Sequence, residues 1–146
     1  MTQATATHQP YLNFQITDDH LGMLPTDQLV EVITIQPQQI IPIPEMPPNV
    51  LGVYNWRGEV IWIIDSALIV GPTPTNTIKH AILISHQTQV IGLIVQQINQ
   101  MIWCDPNDIQ TPPPTTTAQP INHLSRWLSP QQQPIYLLQS ANLLPQ

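Results

Sequence analysis

Positive charge is nearly missing from this sequence. Its 146 residues include three lysines and arginines against nine aspartates and glutamates, a formal net charge of −6. Phosphate backbones are bound by clustered cations, so the balance argues against nucleic acid as a partner. The same scarcity argues against anionic membrane surfaces. Cysteine occurs once, as Cys104, which rules out an intramolecular disulfide and fits a reducing compartment. The five glycines are scattered singly, so there is no glycine-rich phosphate loop. No apolar run approaches the roughly 18 residues of a membrane span, and "MTQATATHQP" lacks the cationic and apolar regions of a secretory signal. A soluble cytoplasmic protein with no direct membrane insertion is the expectation.

Charged residues make up only 8% of the chain, and polarity comes instead from glutamine, threonine and asparagine, with 17 prolines. At 42% hydrophobic the chain is too apolar for disorder and long enough for one domain with a real core. Residues 1–10 read as a flexible tail and 11–146 as a single domain. "YLNFQIT" alternates with period two and reads as a strand, and "HLGMLP" as its return arm. "TDQLVEVITI" reads as a turn followed by a strand. Four prolines in "QPQQIIPIPEMPP" exclude a helix or a central strand, leaving an extended connector.

"NVLGVYN" and "EVIWIID" form strands around "WRG", with Gly58 able to take positive φ. "KHAILISH" and "TQVIGLIVQQINQMIW" repeat the strand–turn–strand pattern, with Gln87 to Gln89 at the bend. "TPPPTTTAQP" is a loop, "INHLSRWL" a short helical turn, "PIYLLQ" a last strand and "SANLL" a capped turn. Many short strands with regular turn signals point to small barrels. No internal repeat is obvious, although both halves carry a hairpin of similar length.

The chemistry-bearing residues do not assemble into an enzyme. His8, His20, His80, His86 and His123 show neither an i/i+4 pair nor a zinc-type spacing with Cys104, so no metal site and no cofactor are expected. Cys104 has no marked partner histidine and reads as a small buried hydrophobe. Asp105 and Asp108 read as turn initiators. Trp62 lies mid-strand and reads as core. Trp56, beside Arg57, has two open readings: a binding hot spot, or a cation–π pair that steadies the turn. Glu31 is the one charge between Gln28 and Pro44, and with cations so few, Arg57 is the expected partner.

The stretch "IIPIPEMPPNVLGVYNWRGEVIWIIDSALIVG" resembles the signature of CheW-like domains. Pro42, Pro44, Pro47, Gly52, Val53, Asn55, Arg57, Gly58 and Asp65 stand in place, and the likeness extends from about Tyr11 to Leu144. The resemblance implies a mainly β fold of two SH3-like five-stranded barrel subdomains, with short helical turns, packed around a shared hydrophobic core. Residues 22–72 would form the first, and 78–146 with the N-terminal strand the second. It also implies a non-enzymatic adaptor coupling chemoreceptors to a CheA-type histidine kinase, in chemotaxis, phototaxis or pilus-based twitching motility.

By the same resemblance the partners are the kinase's regulatory domain, the cytoplasmic tip of a methyl-accepting chemoreceptor and other CheW-like proteins. The protein would be recruited from the cytoplasm to membrane receptor arrays. Glu31, Gly52, Asn55, Trp56, Arg57 and Gly58 would face a partner, while Trp62 and Asp65 hold turn and core. The sequence departs from the family pattern at Trp56 (usually Leu), Trp62 (usually Pro), Ser66, Gln96 and Gln139. The alternative class is a small-barrel ligand- or oligonucleotide-binding module, which would need a basic, aromatic-lined face.

Overall fold

Alternation along β1 (Gln9–Thr17) predicts one wet and one dry face, but Tyr11, Leu12, Asn13 and Phe14 are all buried. The strand is covered on both sides, which is the first sign of two cores. The computed structural model describes residues 7–112, 120–140 and 143. After β1 come β2 (His20–Pro25), β3 (Leu29–Thr34), β4 (Val50–Trp56) and β5 (Glu59–Asp65). A single helical turn, α1 (Ala67–Val70), leads to β6 (His80–His86), β7 (Gln89–Val95) and β8 (Gln97–Cys104). β9 (Arg126–Leu128) and β10 (Pro134–Leu137) follow.

Ten strands make two five-stranded mixed sheets, ordered β8-β1-β2-β10-β9 and β3-β6-β7-β5-β4. The SH3-like expectation holds, with each sheet curled around its own small core. Ile35, Ile61, Ile63, Leu83 and Ile94 fill one, and Tyr11, Met23, Cys104, Ile135 and Leu137 fill the other. Between the sheets, Leu12, Phe14, Ile16, Ile64, Ile82, Ile91, Leu93 and Leu138 form the shared core.

The two sheets have the same topology, strand for strand. β1–β2 and β6–β7 are antiparallel hairpins, and β4–β5 and β9–β10 are the second pair of hairpins. β2 runs parallel to β10 as β7 does to β5, and β8 flanks β1 as β3 flanks β6. The chain therefore contains two successive five-strand units, β1–β5 and β6–β10, whose leading hairpins are exchanged between the sheets. Gly22 and Gly92 occupy matching places, opposite Phe14 and Leu83 and beside Tyr136 and Ile63. "LGML" and "IGLI" are the visible trace of this repeat in the sequence.

This exchange corrects the expected division of the chain. The β6–β7 hairpin joins the sheet of β3–β5, and all of β2 belongs with the chain ends. The segment read as one hairpin arm, 88–103, changes sheets at Gln96, whose N–H donates to the Gln15 carbonyl at 2.8 Å. Residues Gln9 and Pro10 lie in β1 and not in a tail, and residues 1–6 are outside the described set. "INHLSRWL" contains a 3-10 turn, Pro120–His123, and then strand β9. The proline connector contains a 3-10 turn at Pro37–Gln39, begun by a proline whose missing N–H costs nothing there. Most of the "TPPPTTTAQP" loop and of "SANLL" lies outside the described residues.

Among the described residues neither sheet closes by a full ladder; one isolated bridge draws the ends of each together. In a flat sheet β3 and β4 would stand about 19 Å apart. Here the connector after β3 crosses to β4, and Ile41 and Val53 exchange hydrogen bonds of 2.8 and 2.9 Å. In the other sheet the segment after β8 reaches β9, where Gln110 and Arg126 do the same at 2.7 and 3.0 Å. Gly52 permits the first closure. It sits at a register shift in β4 with φ +147°, and a Cβ there would lie 2.1 Å from the Ile41 carbonyl oxygen.

Backbone cannot retreat as a side chain can. Gly52→Ala is therefore expected to cost more than about 2 kcal/mol in denaturant unfolding. An unchanged midpoint would mean that the Ile41–Val53 closure contributes nothing to holding the sheet.

Candidate functional site

The β4–β5 hairpin has a two-residue loop, with φ +52° at Arg57 and +82° at Gly58. Positive φ at both places is the requirement of a type I′ turn, whose twist matches the strands it joins. Gly58 takes it freely, whereas Arg57 takes it at a cost. The Asn55 Oδ1 accepts the Gly58 N–H at 2.9 Å and holds the loop in this shape.

Curling of the sheet brings β3 to this loop. The Arg57 guanidinium reaches the Glu31 carboxylate at 3.0 Å, with the side chains 70% and 35% exposed. Its central carbon lies 5.1 Å from the centroid of the Trp56 ring, inside the range of a cation–π contact. Trp56 is half-buried and packs against the core enclosed by β3–β7. Glu31, Asn55, Trp56, Arg57 and Gly58 thus form one cluster. The Trp56 ring lies against the guanidinium and remains partly at the surface.

The remaining sequence-predicted residues lie deeper. Gly52 is buried where the connector crosses, so its place in the motif follows from backbone packing. Trp62 is half-buried against the shared core. Asp65 is 1% exposed and would be costly there without donors. It accepts from the Ala67 N–H at 3.1 Å, the Thr75 N–H at 2.9 Å and the Thr75 hydroxyl at 2.5 Å. Asp65 therefore pins the loop after α1 to the end of β5. The amide of Gln96 donates to Asp18 at 2.7 Å, a contact that an ionised acid at that position could not make.

Sequence reasoning missed the apolar flank of the cluster. Val60, opposite Asn55, is 67% exposed, and Val30 and Val32 are exposed on the face of β3 turned away from Glu31. The alternation of "LVEVIT" carries the signal for the valines of β3, but only the structure shows which face is dry. A cation at a hairpin tip with an exposed valine on the same hairpin suits protein contact.

Elsewhere, burial shifts two titratable groups. Burial, with Asp108 and then Asp105 adding negative charge, pushes the Cys104 thiol from 9.0 up to about 11. Burial also raises Tyr11, with Cys104, Asp27 and Asp105 contributing. Among the described residues no group of three or more His, Cys, Asp or Glu is arranged to hold a metal. No described helix is long and apolar enough to cross a membrane.

The protein is thus a two-sheet SH3-like β fold with an arginine held at the tip of one hairpin. The sequence matches the family model of the CheW-like domain over residues 10–146, and the chain belongs to that family. It is 34% identical over 74 residues to the chemotaxis protein CheW of Rhizobium meliloti, covering 49% of this chain and 48% of that protein. With the chemotaxis protein CheW of Helicobacter pylori it shares 27% identity over 107 residues, covering 72% and 63%. The aligned chain thus spans about half to two thirds of the length of these relatives. The crystal structure of the scaffolding protein TtCheW from Thermoanaerobacter tengcongensis is similar at a TM-score of 0.71. Its identity is 26%, over 88% of this chain and 87% of that one.

Two experiments follow from these placements. An exposed ion pair contributes about 1 kcal/mol at most, whereas a buried carboxylate leaves three donors unpaired when removed. Arg57→Ala is therefore expected to shift the unfolding midpoint slightly, and Asp65→Ala by more than about 3 kcal/mol; equal losses would contradict the assignment. Cys104 should react slowly with a disulfide-exchange reagent at neutral pH until the protein is unfolded. Because its folded value is raised, its contribution to stability is complete below 9.0 and disappears as pH rises through about 11. Rapid labelling of the native protein would show the thiol to be accessible.

Proposed function

We propose that this protein is a non-enzymatic adaptor that couples chemoreceptors to a CheA-type histidine kinase. The observation that carries the reading is the family match, which runs from residue 10 to residue 146 and so takes in both sheets and the hairpin cluster. Relatives described as chemotaxis proteins and a neighbour described as a scaffolding protein support the same role. On this reading the protein works in the cytoplasm, recruited to membrane receptor arrays. The pathway is chemotaxis, phototaxis or pilus-based twitching motility.

The docking surface assigned to the receptor tip is the tip of the β4–β5 hairpin with its neighbours on β3. Arg57 supplies a residue type that dominates binding energies, Glu31 and the Trp56 ring hold it, Asn55 fixes the loop, and Val60 supplies apolar area. Gly52 contributes by shaping β4 and not by contact. The kinase's regulatory domain and other CheW-like chains are assigned to other faces. Individually modest contacts gain strength in an array through effective concentration.

Mixing the purified protein with a CheA-type regulatory domain and a receptor cytoplasmic fragment is expected to give a co-eluting complex. Arg57→Ala should weaken the receptor arm while the domain remains folded. The absence of any complex at high micromolar concentration would sink the adaptor reading.

A further inference from the structure

Arg57 is engaged on two sides before any partner arrives. Glu31 takes one edge of the guanidinium, and the Trp56 ring lies against its central carbon. The ring is itself anchored, because Trp56 packs on the core that contains Ile35, Ile40, Ile61 and Ile63. A leucine at this position could fill the same core margin but would present no π face. Arginine carries one of the largest side-chain entropies, and an arginine that is already held loses less of it on docking.

We infer that Trp56 is a positioning residue for partner recognition, acting through Arg57 and not through its own contact with the partner. The inference rests on the adaptor reading for the identity of the partner. The ring and Glu31 between them restrain a guanidinium that is still 70% exposed, at the tip of a loop whose shape Asn55 fixes. A partner that meets this tip finds an immobilised, directional donor set and not a mobile charge. An adaptor of the same fold with leucine here would offer the same charge with a looser aim.

The test is a double-mutant cycle in the full chain, with binding to a purified chemoreceptor cytoplasmic hairpin fragment as one readout and side-chain NMR as the other. Trp56→Leu is expected to weaken binding roughly two- to five-fold. Trp56→Phe should restore most of the affinity, and Trp56→Leu should have no further effect when Arg57→Ala is already present. A full additional loss in that background would make Trp56 a direct contact and overturn the inference, as would no loss from Trp56→Leu alone. The NMR arm needs no partner. The Arg57 side-chain protons should be displaced by the ring current in the native chain and relax toward ordinary values in Trp56→Leu. If the fragment binds no form of the protein, the adaptor reading fails, while unshifted Arg57 protons in the native chain overturn the inference itself.

Discussion

Two parallel ladders, β5 with β7 and β2 with β10, hold the architecture together. Each joins the three-strand part of one unit to the hairpin of the other. Neither half of the chain can complete a sheet alone, because its hairpin belongs to the opposite sheet. The shared core follows from the same constraint. β1 and β7 come from different units, yet their apolar faces meet there through Leu12, Phe14, Ile16, Ile91, Leu93 and Val95. Contacts of this kind span long stretches of sequence and cost loop entropy before they return any burial. Cooperative folding of the whole chain is the consequence, and the hairpin cluster is held by elements that form together.

Exchange of hairpins leaves an open end on each sheet, and the two closing bridges deal with it. Free edge strands invite pairing with other chains, and prolines in the connector make it extended and poor at donating to a further strand. Ile41 nevertheless keeps both of its hydrogen bonds to Val53, because the prolines fall on either side of it. The proline-rich approach and the glycine of the motif therefore share one physical task, which is to let the connector lie against β4 at backbone distance. The curl so fixed also brings Glu31 on β3 to Arg57.

Most local features were legible in the sequence. The strands around "WRG" were readable from β-branched runs and Gly58, and the Glu31–Arg57 pair from the scarcity of cations. What escaped was non-local or lay in the backbone. The parallel ladders have no turn to announce them, so the β6–β7 hairpin was assigned to the wrong sheet. The repeat was hidden because only a glycine and its apolar neighbours survive in matching strands. Gly52 was grouped with partner-facing residues because a motif records structural and surface constraints together. Only the contact with the Ile41 carbonyl separates them. Positive φ at Arg57 was unreadable, since arginine seldom adopts it.

A chain with three cations must use them sparingly. Lys79 and Arg126 are exposed, whereas Arg57 is largely neutralised by Glu31 at 3.0 Å. A neutralised pair has a weak field beyond a Debye length of about 8 Å at physiological salt. It cannot do much to steer partners from a distance. What it retains is direction, because a guanidinium offers its donors in a fixed fork and this one is braced by a ring. Recognition at such a site would depend on fit at contact and hardly at all on attraction at range. That suits a protein in which only 8% of residues are charged, and on this reading selectivity would lie in the few residues that brace the arginine.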